Sequence, residues 1–69
     1  MLKQAEAERL LAEGEASDVL AVSLSTLRRW RANGEGPVYV KMGRTVRYRI
    51  ADIRAFVMDC RRDRRPIES

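Results

Sequence analysis

A mainly helical domain carrying one small β-hairpin is the fold class that this 69-residue sequence predicts. Three observations carry that prediction. Apolar residues recur at helical spacing up to residue 33 and again after residue 51, a period-two alternation of β-favouring residues fills the stretch between, and Gly and Pro mark the junctions. So short a chain holds one core.

Residues 1 to 11 are rich in helix formers but offer only Leu2, Leu10 and Leu11 as large apolar groups, so a helical or frayed N-terminal extension is expected. In EGEASDVL, residues 13 to 20, Ala16, Val19 and Leu20 stand at i, i+3, i+4, the buried face of a short helix, and Gly14 weakens it by roughly 1 kcal/mol relative to Ala. Ala21, Val22 and Ser23 break that period. Ser23 suits the N-cap of a second helix, LSTLRRWRAN, in which Leu24, Leu27 and Trp30 share one face and Asn33 and Gly34 supply the stop. Ser25, Arg28, Arg29 and Ala32 project from the opposite side, while Arg31 falls toward the core side, where its stem would lie over Trp30. Two short helices joined by a turn of about three residues, the second anchored by Leu and Trp with Arg outward, form the pattern of a helix-turn-helix.

Gly34, Gly36 and Pro37 then lead into two strands. Val38, Val40 and Met42 alternate with Tyr39 and Lys41, and Val46, Tyr48 and Ile50 alternate with Thr45, Arg47 and Arg49. Joining the Val38/Val40 face to the Val46/Tyr48 face needs an odd loop, so three residues around Gly43 and Arg44 are predicted. That register leaves Lys41, Arg47 and Arg49 on the outer face, with Tyr39 also outside and Arg44 at the tip. A two-residue Gly-Arg turn would instead set Lys41 beside Val46. From Ala51 onward Ile53, Phe56, Val57 and Cys60 trace a helical stripe, with Asp52 in the first turn and Arg61 and Arg62 in the last. Residues 63 to 69, with Pro66, read as a mobile basic tail, which makes residues 12 to 62 the domain.

Charge is distributed unevenly. Residues 1 to 23 hold two basic against five acidic groups, whereas residues 24 to 69 hold twelve basic against five, so positive potential sits downstream. Twelve of the fourteen basic residues are arginine, whose planar fork suits phosphate oxygens and the acceptor edge of guanine. A polyanion is the natural partner. With no His and Cys60 as the single thiol, an internal disulfide, a Cys/His metal site and a His-based triad are excluded, so neither catalytic residue nor metal or other cofactor is expected, and the chain is read as a non-enzyme. No apolar run approaches the roughly 20 residues of a membrane span and MLKQAEAERL lacks a signal-peptide core, so a cytoplasmic protein is expected.

Residues 10 to 57 resemble the excisionase-like helix-turn-helix domains of the MerR-type winged-helix superfamily. The likeness rests on order and spacing: the capping Ser23, STLRRW at Ser25 to Trp30, Gly36-Pro37, Lys-x-Gly-Arg at Lys41 to Arg44, VRY at Val46 to Tyr48, and Asp52-Ile53. The sequence departs from the family at Ala12, Gly14 and Ala21, where Thr or Ser, an ordinary residue and often Gly are usual. The resemblance implies a winged helix-turn-helix fold and a small bacterial or phage-encoded, nucleoid-associated protein that binds double-stranded DNA. Its role would be to direct excision by a recombinase as an architectural factor or to regulate transcription. The larger MerR regulators continue into a dimerisation helix and an effector domain; at this length both, and ligand sensing with them, are expected to be lacking.

On this reading Ser25, Arg28 and Arg29 reach base edges or flanking phosphates in a major groove, and Thr26 meets the backbone near the helix N-terminus. Arg44, Arg47 and Arg49 serve an adjacent minor groove or its phosphates, and Lys41 with Arg61, Arg62, Arg64 and Arg65 adds non-specific attraction. A monomer covers about one half-site, so specificity calls for self-association on DNA or a partner such as an integrase. The alternatives are solvated basic faces without a partner, an RNA-binding module, for which Tyr39 alone stands as an exposed aromatic, and a protein-interaction adaptor for a recombinase using the acidic N-terminal segment or the tail.

Overall fold

The computed structural model describes residues 9–62. Three helices pack against a small antiparallel sheet in the order β1 (Leu10–Leu11), α1 (Glu13–Leu20), α2 (Leu24–Ala32), β2 (Val40–Met42), β3 (Thr45–Arg49) and α3 (Ile50–Cys60). The strand order is β1-β3-β2. The expected tail, residues 63 to 69, and residues 1 to 8 of the expected extension lie outside the described residues.

Leu10 and Leu11 are strand, not helix, which corrects the expectation for the end of the N-terminal segment. Leu10 pairs with Arg49 and Leu11 with Tyr48, and Ile50 N–H donates to the Arg9 carbonyl at 3.4 Å. The reason is burial: pairing along the free edge of β3 places Leu11 in the core at 3% exposure. The core is Leu11, Ala16, Leu27, Tyr48 and Ile53, with Leu20, Val22, Trp30, Val46 and Ile50 packed around it.

Helix α1 forms over the predicted residues, and Ala12 cannot cap it with a side chain. Half of a capping box remains, because Glu15 Oε1 accepts from Ala12 N–H at 3.0 Å. Its buried face differs from the expected one. Ala16 and Ser17 are inside and Val19 is exposed; the Ser17 hydroxyl satisfies itself by donating to the Gly14 carbonyl at 2.9 Å. The helix ends in a Schellman motif, with Val22 N–H bonded to the Ser17 carbonyl at 3.0 Å and Ala21 N–H to that of Asp18 at 3.1 Å. The motif demands a left-handed residue, and Ala21 adopts φ 58°. Helix α2 closes in the same way through Glu35 N–H to the Trp30 carbonyl at 2.7 Å and Gly34 N–H to that of Arg31 at 3.2 Å, here with Gly34 at φ 74°.

The hairpin register is even. Met42 faces Thr45, Lys41 faces Val46 and Val40 faces Arg47, so the loop is the two residues Gly43 and Arg44, not three. Gly43 makes this loop available, since at φ 65° it supplies the left-handed first position of a tight hairpin turn. Tyr39 consequently shares the face of Tyr48, its ring centroid 6.1 Å away, yet stays 41% exposed as expected; Val38 is exposed and Val40 half-buried. β3 runs into α3 without a loop residue: Arg49 ends the strand and occupies the N-cap of the helix. On α3 Ile53 is buried and Phe56 packs its ring 5.5 Å from Trp30, but Val57 and Cys60 are exposed, because the helix outruns the small core.

Candidate nucleic-acid interface

Helix α2 is fixed at both ends and through its middle. Ser23 caps it by accepting from Thr26 N–H at 3.0 Å, and the same hydroxyl donates to Thr26 Oγ1 at 2.9 Å and lies 3.2 Å from Ser25 Oγ. Leu27 is fully buried. That anchoring turns Ser25, Arg28, Arg29 and Ala32 to solvent, as their spacing predicts, with Thr26 half-buried beside them. Arg29 forms no hydrogen bond or ion pair among the described residues.

Arg28 is held. Its Nε and Nη2 donate to the two oxygens of Glu13, at 3.0 and 3.3 Å, across the groove between α1 and α2. Arg31 grips the same carboxylate: Nη1 donates to Glu13 Oε1 at 3.2 Å and to Tyr48 Oη at 3.1 Å, and its guanidinium sits 5.7 Å from the centre of the Tyr39 ring. Arg31 thus lies over the tyrosines rather than over Trp30. The hydrogen bond from Arg28 lowers the Glu13 pKa from its ordinary value, partial burial works against it, and Arg31 adds to the lowering. Glu13 escapes a reading of the sequence because its partners stand 15 and 18 residues away. Its place at the very start of α1, on a helix that must cross α2, is the one signal that could have found it.

The hairpin places its cations in different settings. Arg44 stands at the tip, exposed, and makes no hydrogen bond or ion pair among the described residues. Arg47 is half-buried on the outer face and donates to the Val46 carbonyl at 2.9 Å. Arg49, on the same face, clasps Asp52 with Nε to Oδ2 at 2.8 Å and Nη2 to Oδ1 at 3.0 Å, which lowers the Asp52 pKa despite its partial burial. Lys41 is exposed but shares the face of Val46 and Tyr48, so it is not on the outer face with Arg47 and Arg49; the even register reverses it. Of the expected surface, α2 turns Ser25, Arg28 and Arg29 to solvent with Thr26 half-buried to one side, while the hairpin divides Lys41 from Arg47 and Arg49 and engages Arg49 with a carboxylate. Arg61 and Arg62 are exposed beyond α3, and Arg64 and Arg65 lie outside the described residues.

Among the described residues no group of three or more His, Cys, Asp or Glu side chains could hold a metal ion, and no helix is long and apolar enough to cross a membrane. A capped, exposed second helix set across a short first helix and flanked by an antiparallel hairpin defines a winged helix-turn-helix domain, the class of module whose second helix meets DNA. The chain belongs to a family described as helix-turn-helix domain, whose model matches residues 3–61. No curated protein matches it.

Proposed function

We propose that the protein binds double-stranded DNA sequence-specifically, as a small excisionase-like factor that directs site-specific recombination. Helix α2 enters the major groove and the hairpin tip reaches the neighbouring groove. The observation that carries this reading is the exposed face of α2, where Ser25, Arg28 and Arg29 stand together opposite the buried Leu27. Ala32 on the same face is small enough to let the helix sit deep. Arg29 and Arg44, without partners among the described residues, supply the strongest attraction for phosphates, and Thr26 the backbone contact near the helix start. Arg47 and Lys41 flank the duplex from the two faces of the hairpin, while Arg49 acts mainly through Asp52 on the junction with α3. An integrase is the expected partner, with several copies side by side on the DNA making up the short reading length of one domain.

The test is a gel-shift titration of a duplex, first enriched from a random-sequence pool, at several salt concentrations. About four neutralised phosphates predict a log-log slope of about −3.6. Arg29→Ala and Arg44→Ala should each weaken binding about tenfold. Binding indifferent to salt and to both substitutions would sink this reading.

A further inference from the structure

The Glu13 carboxylate has no role in attracting DNA; it is a negative charge set against the very helix that would enter the groove. Its geometry nevertheless suits the helix. Glu13 is itself anchored, held by Arg31, which is fixed by Tyr48 Oη and the Tyr39 ring, so the carboxylate offers α2 a stationary point. Arg28 meets that point side-on, through Nε and Nη2. A guanidinium has five N–H donors. With two on Glu13, the far edge, formed by Nη1 and the second hydrogen of Nη2, faces away as an unoccupied two-donor fork.

We infer that Glu13 is a specificity-determining positioning residue: it converts Arg28 from a phosphate-seeking cation into a fixed two-donor reader of the guanine acceptor edge. This rests on the DNA-binding reading above. Two physical effects act together. The one carboxylate, shared with Arg31, offsets one of the two guanidinium charges and so weakens the long-range pull of this cluster on phosphates, which would otherwise strengthen binding to every sequence alike. The clamp also orders a long side chain before binding, so the two hydrogen bonds to guanine O6 and N7 form without the ordering cost that a free arginine bears. Arg29, one residue on and unclamped, keeps the opposite role.

The experiment compares wild type, Glu13→Gln, Arg28→Ala and the double variant on an enriched duplex and on its scrambled counterpart across salt. For Glu13→Gln the scrambled duplex is expected to bind several-fold more tightly, with a slope steeper by about one unit, while the preference for the enriched duplex falls about tenfold. In the Arg28→Ala background Glu13→Gln should leave the preference unchanged, a result that a merely structural role for Glu13 would not produce. Equal changes on both duplexes, or a full effect without Arg28, would overturn the inference while leaving DNA binding intact. Absence of salt-dependent binding by wild type would instead remove the reading on which it stands. Should Glu13→Gln fail to fold, the Arg28 Nε–H resonance of the wild-type protein answers the same question. Hydrogen bonding that persists in the complex with the enriched duplex supports the clamp, and its loss on binding refutes it.

Discussion

Ala21 occupies a position built for glycine, and exchanging it is a direct test of how the turn between α1 and α2 is made. Its φ of 58° is imposed by the two Schellman hydrogen bonds, at 3.0 and 3.1 Å, that close the helix. A left-handed conformation costs a residue with a β-carbon roughly 1–2 kcal/mol, and Ala21 is exposed, so its methyl group gains no packing in return. Ala21→Gly removes that strain but gives the unfolded chain roughly 0.4–1 kcal/mol of extra freedom. The net expectation is a stabilisation of about 0.5–1 kcal/mol. For a domain of this size that raises the thermal midpoint by about 2–8 °C. Trp30, the single tryptophan, packs between Gly36 and the Phe56 ring and reports unfolding by fluorescence. Gly14 presents the reverse case: a β-carbon there would meet nothing within 4 Å, so Gly14→Ala should add about 0.5–1 kcal/mol. The two sites sit at opposite ends of α1, about 10 Å apart at 1.5 Å per residue, far enough for the gains to add. A lowered midpoint for Ala21→Gly would refute the left-handed turn in solution, and with it the angle at which α2 leaves α1.

Three further outcomes follow from the packing. Gly36 has φ 86° and a β-carbon there would stand 3.1 Å from Trp30 Cβ and 3.2 Å from Cε3, so Gly36→Ala should cost at least about 1–2 kcal/mol in urea titrations; a neutral result would mean that the linker does not lie on the indole. Tyr48→Phe removes the buried acceptor of Arg31 and should lower stability by about 1–2 kcal/mol, whereas an unaltered midpoint would show that the bond does not form. Glu13 and Asp52 both have lowered pKa values, first through hydrogen bonds from Arg28 and Arg49. Carboxyl groups depressed on folding stabilise fully above their unfolded values and lose that contribution as pH falls, so the thermal midpoint should hold from neutral pH to about 5 and decline below about 4. The Glu13→Gln/Asp52→Asn variant should show a shallower decline, and a midpoint that climbs on acidification would contradict both ion pairs.

The sequence made the helices, the hairpin and their order legible because each has its own period and its own stop. Leu27, Trp30 and Gly34 define α2, and Gly43-Arg44 marks the turn. What stayed hidden depended on residues far apart in the chain. Leu10 and Leu11 carry no alternation, and become a strand only because β3 has a free edge to pair with. Both alternating sets in VYVKM contain apolar groups, so face alone could not choose between Tyr39 and Val40; the left-handed Gly43 decides it by allowing a two-residue loop. Of the expected interface, the α2 face was readable from 100° steps, but its electrostatic state was not. Arg28 looks as free as Arg29 until α1 brings Glu13 across to it.

The seam between β3 and α3 has a mechanical meaning. With no residue between them and the Arg49–Asp52 clasp across the joint, there is no hinge at which one element could swivel against the other. On the DNA-binding reading proposed above, a tilt imposed on the hairpin by a duplex would be passed to α3, toward whose far end Val57 and Met58 stand exposed. The joint ties the orientation of the hairpin to that of the last helix.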